Sequence, residues 1–225
     1  MFPFPFGFIG SGEVIPDLEL ISNDYAMEFD GTSTYISAGN PSELQITGTL
    51  TVSAWFKILN NSGNRVIVAR DAAASQRNWS LYIQGGTGYV NLLLRNNTDT
   101  GWNQVSSSSA YDDGNWHHVA FAYTPSTSLI LYVDGVAVDT NTTSITPSIN
   151  NETADFTIGA YSSNQGYTGD RWDGDIDEVA VWNKALELAD VQTIYNSTNN
   201  NPGKCANLFT GGLGSGLVYW NRMGD

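Results

Sequence analysis

Leu50-Thr51-Val52-Ser53-Ala54-Trp55-Phe56-Lys57-Ile58 decides how this chain is read. In an extended backbone successive side chains point to opposite faces, so Leu50, Val52, Ala54, Phe56 and Ile58 share one face, opposite Thr51, Ser53, Trp55 and Lys57. An apolar row with a mixed row behind it predicts an antiparallel strand with one buried face. The same period of two recurs over residues 64–70, 79–84, 89–95 and 116–123, with turn-forming text such as Gly85-Gly86-Thr87-Gly88 between the runs. Ser128 to Val133 meets Val136-Ala137-Val138 across Asp134-Gly135, a pair suited to a two-residue turn in which both φ angles are positive, so a hairpin is expected there. Residues 156–160 and 175–182 add two strands. Leu188, Val191, Ile194 and Tyr195 fall at helical spacing and predict one short helix over 187–196. About ten strands and one short helix give an all-β fold, a two-sheet antiparallel β-sandwich of jelly-roll type.

Composition agrees with one globular domain. The chain has 225 residues, and its 41% hydrophobic and 12% aromatic content is ample for one core. Charged residues are only 14%, against about 25% in average proteins, so Asn, Ser, Thr and Gly supply most of the polar surface. A net charge of −14 repels phosphate, which argues against nucleic-acid and anionic-membrane partners and favours cations. The lone Cys205 has no internal disulfide partner and reads as a structural thiol. No apolar run approaches the length that spans a bilayer.

Residues 1–22 read as an apolar arm, 23–196 as the sandwich and 197–225 as a Gly/Asn-rich linker with a final strand. In the arm, Phe2, Phe4, Phe6 and Phe8 alternate with prolines and lack the basic start of a signal peptide. Such a row of rings is expected to lie on its own domain or on a neighbouring subunit. The Asn-x-Ser/Thr triplets carry little weight in so Asn-rich a chain.

Phe29-Asp30-Gly31 with Thr34-Tyr35-Ile36, then Val52 to Phe56, Trp116-His117-His118-Val119-Ala120, Leu131-Tyr132-Val133-Asp134-Gly135, Ile158-Gly159, and Gly174 through Leu186 resemble, in order and spacing, the successive strand motifs of laminin-G-like, concanavalin A-like jelly rolls. The resemblance covers residues 25–196. The C-terminal Gly216 to Asp225 looks like the strand with which such modules begin, so it either opens a second module or docks into the first sheet in a permuted way.

Asp173, Asp175 and Asp177 project from one face of a strand, about 7 Å apart in succession. Hard carboxylate oxygens at that density suit Ca²⁺, and the resemblance implies a structural calcium held by Asp175 and Asp177 together with Asp30. Solvated turn acids are the competing reading. The pattern is no EF-hand, because Glu178 stands where that loop needs Gly. Glucanases that share the superfold carry Glu-x-Asp-x-x-Glu or Glu-x-Asp-x-Glu clusters, whereas this strand has three Asp and a Glu178 assigned to the opposite face. His117 and His118 are strand neighbours that point apart and form no chelate. Nucleophile elbows, phosphate loops and zinc spacings do not occur.

Sugar binding needs an exposed aromatic surface beside amides and carboxylates. Trp102 and Asn103 in an expected 96–104 loop, Tyr111 with Asp112 and Asp113, and Tyr161, Tyr167 and Trp172 around Asn164 and Asp170 meet that description, while Trp55, Trp79, Trp116 and Trp182 read as core or intersheet residues. The leading expectation is a non-catalytic structural or adhesive module displayed on a larger assembly such as a virion or other extracellular surface, docked to other subunits through the Phe-rich arm. A calcium-dependent, glycan-binding lectin is the alternative, and a glycan hydrolase the third.

Overall fold

The computed structural model describes residues 17–72, 76–98, 100–162 and 170–224. The strands are β1 (Leu20–Ser22), β2 (Met27–Asp30), β3 (Ile36–Gly39), β4 (Leu50–Ile58), β5 (Arg65–Asp71), β6 (Arg77–Ile83), β7 (Tyr89–Arg95), β8 (Trp102–Ala110), β9 (His117–Thr124), β10 (Ser128–Val133), β11 (Val136–Asn141), β12 (Phe156–Ile158), β13 (Asp173–Trp182), β14 (Lys204–Ala206) and β15 (Leu217–Asn221), with helix α1 over Leu188–Asn199. Two antiparallel sheets form the sandwich. One runs β11-β10-β9-β4-β13, with β2 and β15 end to end along the far edge of β13, and the other runs β3-β12-β5-β6-β7-β8.

The alternation in the deciding stretch is built as expected. Leu50, Val52, Ala54, Phe56 and Ile58 enter the core between the sheets, where Trp79, Leu81 and Ile83 from β6 and Val90, Leu92 and Leu94 from β7 meet them. Trp79 stands edge-on to Phe121 at 5.4 Å and to Phe156 at 6.0 Å, an arrangement that places ring edges on ring faces. The expected hairpin joins β10 to β11, with Asp134 at φ 50° and Gly135 at 74°.

More strands form than the sequence reading gave. The text of β8 is too polar for period two to show, and β1 and β14 are too short to develop a pattern, whereas β15 is the final strand that the C-terminal text suggested. Trp102 and Asn103, expected in a loop, therefore begin a strand.

The face of β4 opposite the core is buried as well. Thr51, Ser53 and Trp55 are covered by a second apolar layer, in which Val191 and Ile194 of α1 and Leu208 and Leu213 of the following segment pack on Ala120, Ala180 and Trp182. Glu187 and Asp190 cap α1 reciprocally, which starts the helix where the apolar spacing begins. The segment expected to be a linker is thus packed structure: β14 lies within it and pairs with β1, drawn from the end of the expected arm.

The C-terminal strand is settled in favour of docking. β15 pairs antiparallel with residues 179–182 of β13, while β2 pairs with residues 173–176 of the same edge. Between the two half-strands β13 bulges: Asp177 pairs with Trp55 and the register resumes only at Ala180. Glu178, at φ 50°, fills the bulge and turns towards Trp220, Arg222 and Cys205 on the outer side, so its expected place on the face opposite the three Asp is corrected. Gly174 marks the other close approach, since a Cβ there would lie 2.1 Å from the Lys57 carbonyl oxygen.

Candidate functional site

Apolar side chains of β6 and β7 turn inward, so the alternate residues of these strands form the outer face of the six-stranded sheet. That face is polar. A cavity of about 240 Å³ opens on it, lined by Asn64, Asp71, Ala72, Arg77, Tyr82, Leu93, Tyr161 and Asp170. β5 supplies Asp71 at its end, β6 supplies Arg77 and Tyr82, and β7 supplies Leu93. Tyr161 and Asp170 come from the connection between β12 and β13.

Asp71 is 3% exposed. Burial pushes its carboxyl up to about 7, against the pull of the Arg77 guanidinium, the Ala72 backbone N–H at 2.9 Å and, more weakly, Arg95. Burial also raises the Tyr161 phenol far beyond its ordinary range, and burial with the Asp170 charge raises Tyr82. Both phenols therefore stay neutral O–H donors at physiological pH. Beside the cavity, the guanidinium groups of Arg77 and Arg95 lie 5.7 and 4.7 Å from the Trp102 ring centroid. Both distances fall within cation–π range, so two positive charges gather at one aromatic ring. The wall thus combines two phenols, two carboxyls, an amide and a cation over one sheet, a set that recognises a ligand rich in hydroxyls or carrying an acidic group.

The residues expected from sequence distribute unevenly. Trp102 and Tyr161 belong to this face. Trp172 does not: it is fully buried, edge-on to Phe56 at 5.6 Å, with its indole N–H donating to the Asp175 carbonyl, so it is a core residue and is corrected as such. Asn103 is buried too, its amide joining the Ser144 carbonyl and the Thr146 N–H in a structural brace. Tyr111 packs edge-on against His117 at 5.1 Å, and Asp112 accepts the Asn61 amide at 2.7 Å, both away from the cavity. Asn164, Tyr167 and the arm residues Phe2, Phe4, Phe6 and Phe8 lie outside the described residues.

Asp170, expected beside Tyr161, does line the cavity, whereas Asp71, Arg77, Tyr82 and Arg95 were missed, because each reads singly as an ordinary outward strand residue. A signal did exist: two of only nine basic residues fall at corresponding ends of neighbouring strands. Trp116, expected in the core, is 40% exposed.

The calcium set does not assemble. Asp30 pairs with Asp173, so Asp177 lies four residues further along, about 13 Å away. Asp30 accepts the backbone N–H groups of Thr32, Ser33 and Thr34 and the Ser33 hydroxyl, the last being the main reason its carboxyl is held well below the usual range. Asp177 takes the Asn23 amide on one oxygen at 3.0 Å and the Glu178 N–H on the other at 2.8 Å, while Asp175 faces Lys57 at 3.5 Å. Among the described residues no three His, Cys, Asp or Glu side chains converge on one point. These carboxylates serve as loop and strand braces and do not fit a shared cation.

The two histidines point apart as expected. His117 bridges Asp113 at 3.1 Å and Asp134 at 2.8 Å, whereas His118 is fully buried against Trp55 and Ser53. Among the described residues no helix is long and apolar enough to cross a membrane.

Comparison with known proteins agrees with this architecture. The pentraxin of Limulus polyphemus, a heptameric SAP-like protein, superposes with a TM-score of 0.59 at 18% identity, over 76% of this chain and 81% of its own. The CBM40 of the Ruminococcus gnavus IT-sialidase, which is also seen bound to α2,3 sialyllactose, gives 0.61 at 15% identity, over 79% and 98%. The binding domain of Paraclostridial Mosquitocidal Protein 1 gives 0.62 at 14% identity, over 84% and 47%. At such identities the likeness is one of fold. No curated protein sequence matches the chain. A family profile does match residues 30–192, well over half the chain, and the protein accordingly belongs to the concanavalin A-like lectin/glucanases superfamily.

Proposed function

We propose that this protein is a non-catalytic, lectin-like module that binds glycans on the outer face of its six-stranded sheet. One observation carries the reading: a cavity walled by Tyr82, Tyr161, Asp71 and Asp170 adjoins the Trp102 ring with Arg77 and Arg95 within cation–π range of it. Phenol, carboxyl and guanidinium groups supply directional hydrogen bonds to sugar hydroxyls, and the partly exposed Trp102 ring supplies area. Arg77 and Arg95 also offer a cationic partner to an acidic sugar in an otherwise strongly acidic protein. That the R. gnavus CBM40 is seen with sialyllactose supports including sialylated glycans among the ligands tried.

Hydrolysis is the weaker reading. A carboxyl raised to about 7 has the proton affinity of a general acid, but Asp71 sits within the wall at 3% exposure, and the acids of β13 serve as braces elsewhere in the fold. The test is a glycan array that includes sialylated and neutral oligosaccharides, repeated with Arg77→Ala and Tyr161→Ala. Binding that falls about tenfold or more in both variants, with no product released, supports the module; one well-placed charged hydrogen bond is worth about that much. An array that stays blank, or binding indifferent to both changes, overturns it.

A further inference from the structure

A second cleft lies on the outer face of the seven-stranded sheet, on the other side of the sandwich from the Asp71 cavity. Its volume is about 360 Å³, within the range of small-ligand sites. The segment before β2, the residue before β9 and the end of α1 enclose it. Trp116, 40% exposed, and Tyr25, 67% exposed, present ring surface to solvent there. Trp55 forms another part of the lining and is held rigidly, stacked on Tyr195 at 5.7 Å with 17° between the planes and flanked by His118 at 5.3 Å.

The polar lining has a specific shortfall. The Trp55 indole N–H and the Asn23 amide oxygen are both buried and both lack a hydrogen-bond partner. The orientation of the Asn23 amide is fixed by its other end, which donates to Asp177 at 3.0 Å. An orphaned buried polar atom costs about 1–3 kcal/mol and calls for a partner. Here one orphan is a donor and the other an acceptor, and a hydroxyl is the group that serves either. A ligand that combines hydroxyls with an apolar C–H face for Trp116 and Tyr25 is a pyranose ring.

We infer that this cleft is a second carbohydrate site, taking a single pyranose residue, with Trp116 and Tyr25 against the ring and Trp55 and Asn23 satisfied by its hydroxyls. The inference does not depend on the Asp71 cavity. With the Asp71 cavity occupied as proposed above, the two sites on opposite faces link two separate glycan chains; that consequence, unlike the site itself, rests on the proposed function.

The experiment uses the full ¹⁵N-labelled chain titrated with methyl glycosides of glucose, galactose, mannose and N-acetylglucosamine, read at the tryptophan indole N–H signals. At least one glycoside is expected to shift the Trp55 and Trp116 signals together, and Trp116→Ala and Tyr25→Ala, both at exposed positions, each to weaken that titration about tenfold, the scale of one lost stacking contact. The other site is read separately, at the Trp102 signal in the same spectra. If no glycoside moves the Trp55 and Trp116 signals, or if both variants titrate as the parent does, the cleft is not a carbohydrate site, whatever Trp102 reports.

Discussion

Trp220 donates its indole N–H to Glu178 Oε2 at 2.6 Å, and this bond fastens the last strand of the chain to the bulge of β13. Arg222 adds a 3.3 Å contact to the other carboxylate oxygen and also bonds the Ser22 carbonyl, so the buried acid joins β15 to β13 and, through Arg222, to the end of β1. Glu178 does this from the left-handed region at φ 50°, a conformation that costs a non-glycine residue about 1 kcal/mol. Two effects can therefore be separated. Glu178→Ala is expected to lower unfolding free energy by about 2–4 kcal/mol, because it leaves the Trp220 and Arg222 donors without their acceptor. Glu178→Gly loses the same bonds but relieves the backbone, and should be the more stable of the two by about 1 kcal/mol. Urea denaturation with an unchanged m-value measures both, and an alanine variant at or above the glycine variant refutes the strain argument.

Asp71 predicts a pH dependence of definite sign. Its carboxyl is raised by burial to about 7, so between the ordinary carboxylate range and pH 7 the folded state binds the proton that the unfolded state has already lost. The contribution of this group therefore falls as pH rises from about 4 to 7. Asp71→Asn, which keeps the neutral shape, should flatten that part of the stability profile; a profile of unchanged slope counts against the assignment.

The histidines titrate in opposite directions. His117 is half-shielded, which lowers its pKa, but its bonds to Asp134 and Asp113 outweigh that and raise it. Its contribution is full below its unfolded value near 6.5 and is lost as pH rises through the raised folded value. Burial lowers His118 to about 4, so its contribution is present above 6.5 and is lost as pH falls towards 4. Two-dimensional NMR of the imidazoles should show His118 neutral at pH 5.5 while His117 is charged, and Asp134→Asn should pull the His117 midpoint down.

Trp172 and Trp102 looked alike as candidate sugar contacts and should now behave differently. Trp172→Ala opens a hole beside Phe56 and is expected to cost about 3–5 kcal/mol, with large loss of Tm. Trp102→Ala removes a partly exposed platform under two guanidinium groups, so stability should change by about 1 kcal/mol or less while glycan binding weakens. Thermal melts and array binding of the pair check this together.

Calcium provides a negative control. Because Asp30, Asp175 and Asp177 are committed to separate partners, Tm is expected to be the same in excess chelator and in added Ca²⁺. A rise with added Ca²⁺ would show that the carboxylates rearrange to hold the ion.

Features encoded by a local period were legible in the chain alone. Leu50 to Ile58 fixed which residues face the core, Asp134-Gly135 fixed a hairpin because few residues accept two positive φ angles, and the ordered strand motifs were enough to place the chain in its superfamily. Which side chains from distant strands meet depended instead on how the sheets and the helix pack. Asp71, Arg77, Tyr161 and Asp170 become one cavity only through the order β12-β5-β6, and the back of β4 is buried only because α1 and the Leu208–Leu213 segment fold over it. Nor does any local pattern announce the bulge at Asp177, which carries Glu178 to the outer side, since a shift of register is set by the partner strands and not by the strand that shifts. Trp172 and Trp116 show the same limit: both stand in polar text, and only the depth of the surrounding chain makes one a core residue and leaves the other at the mouth of a cleft.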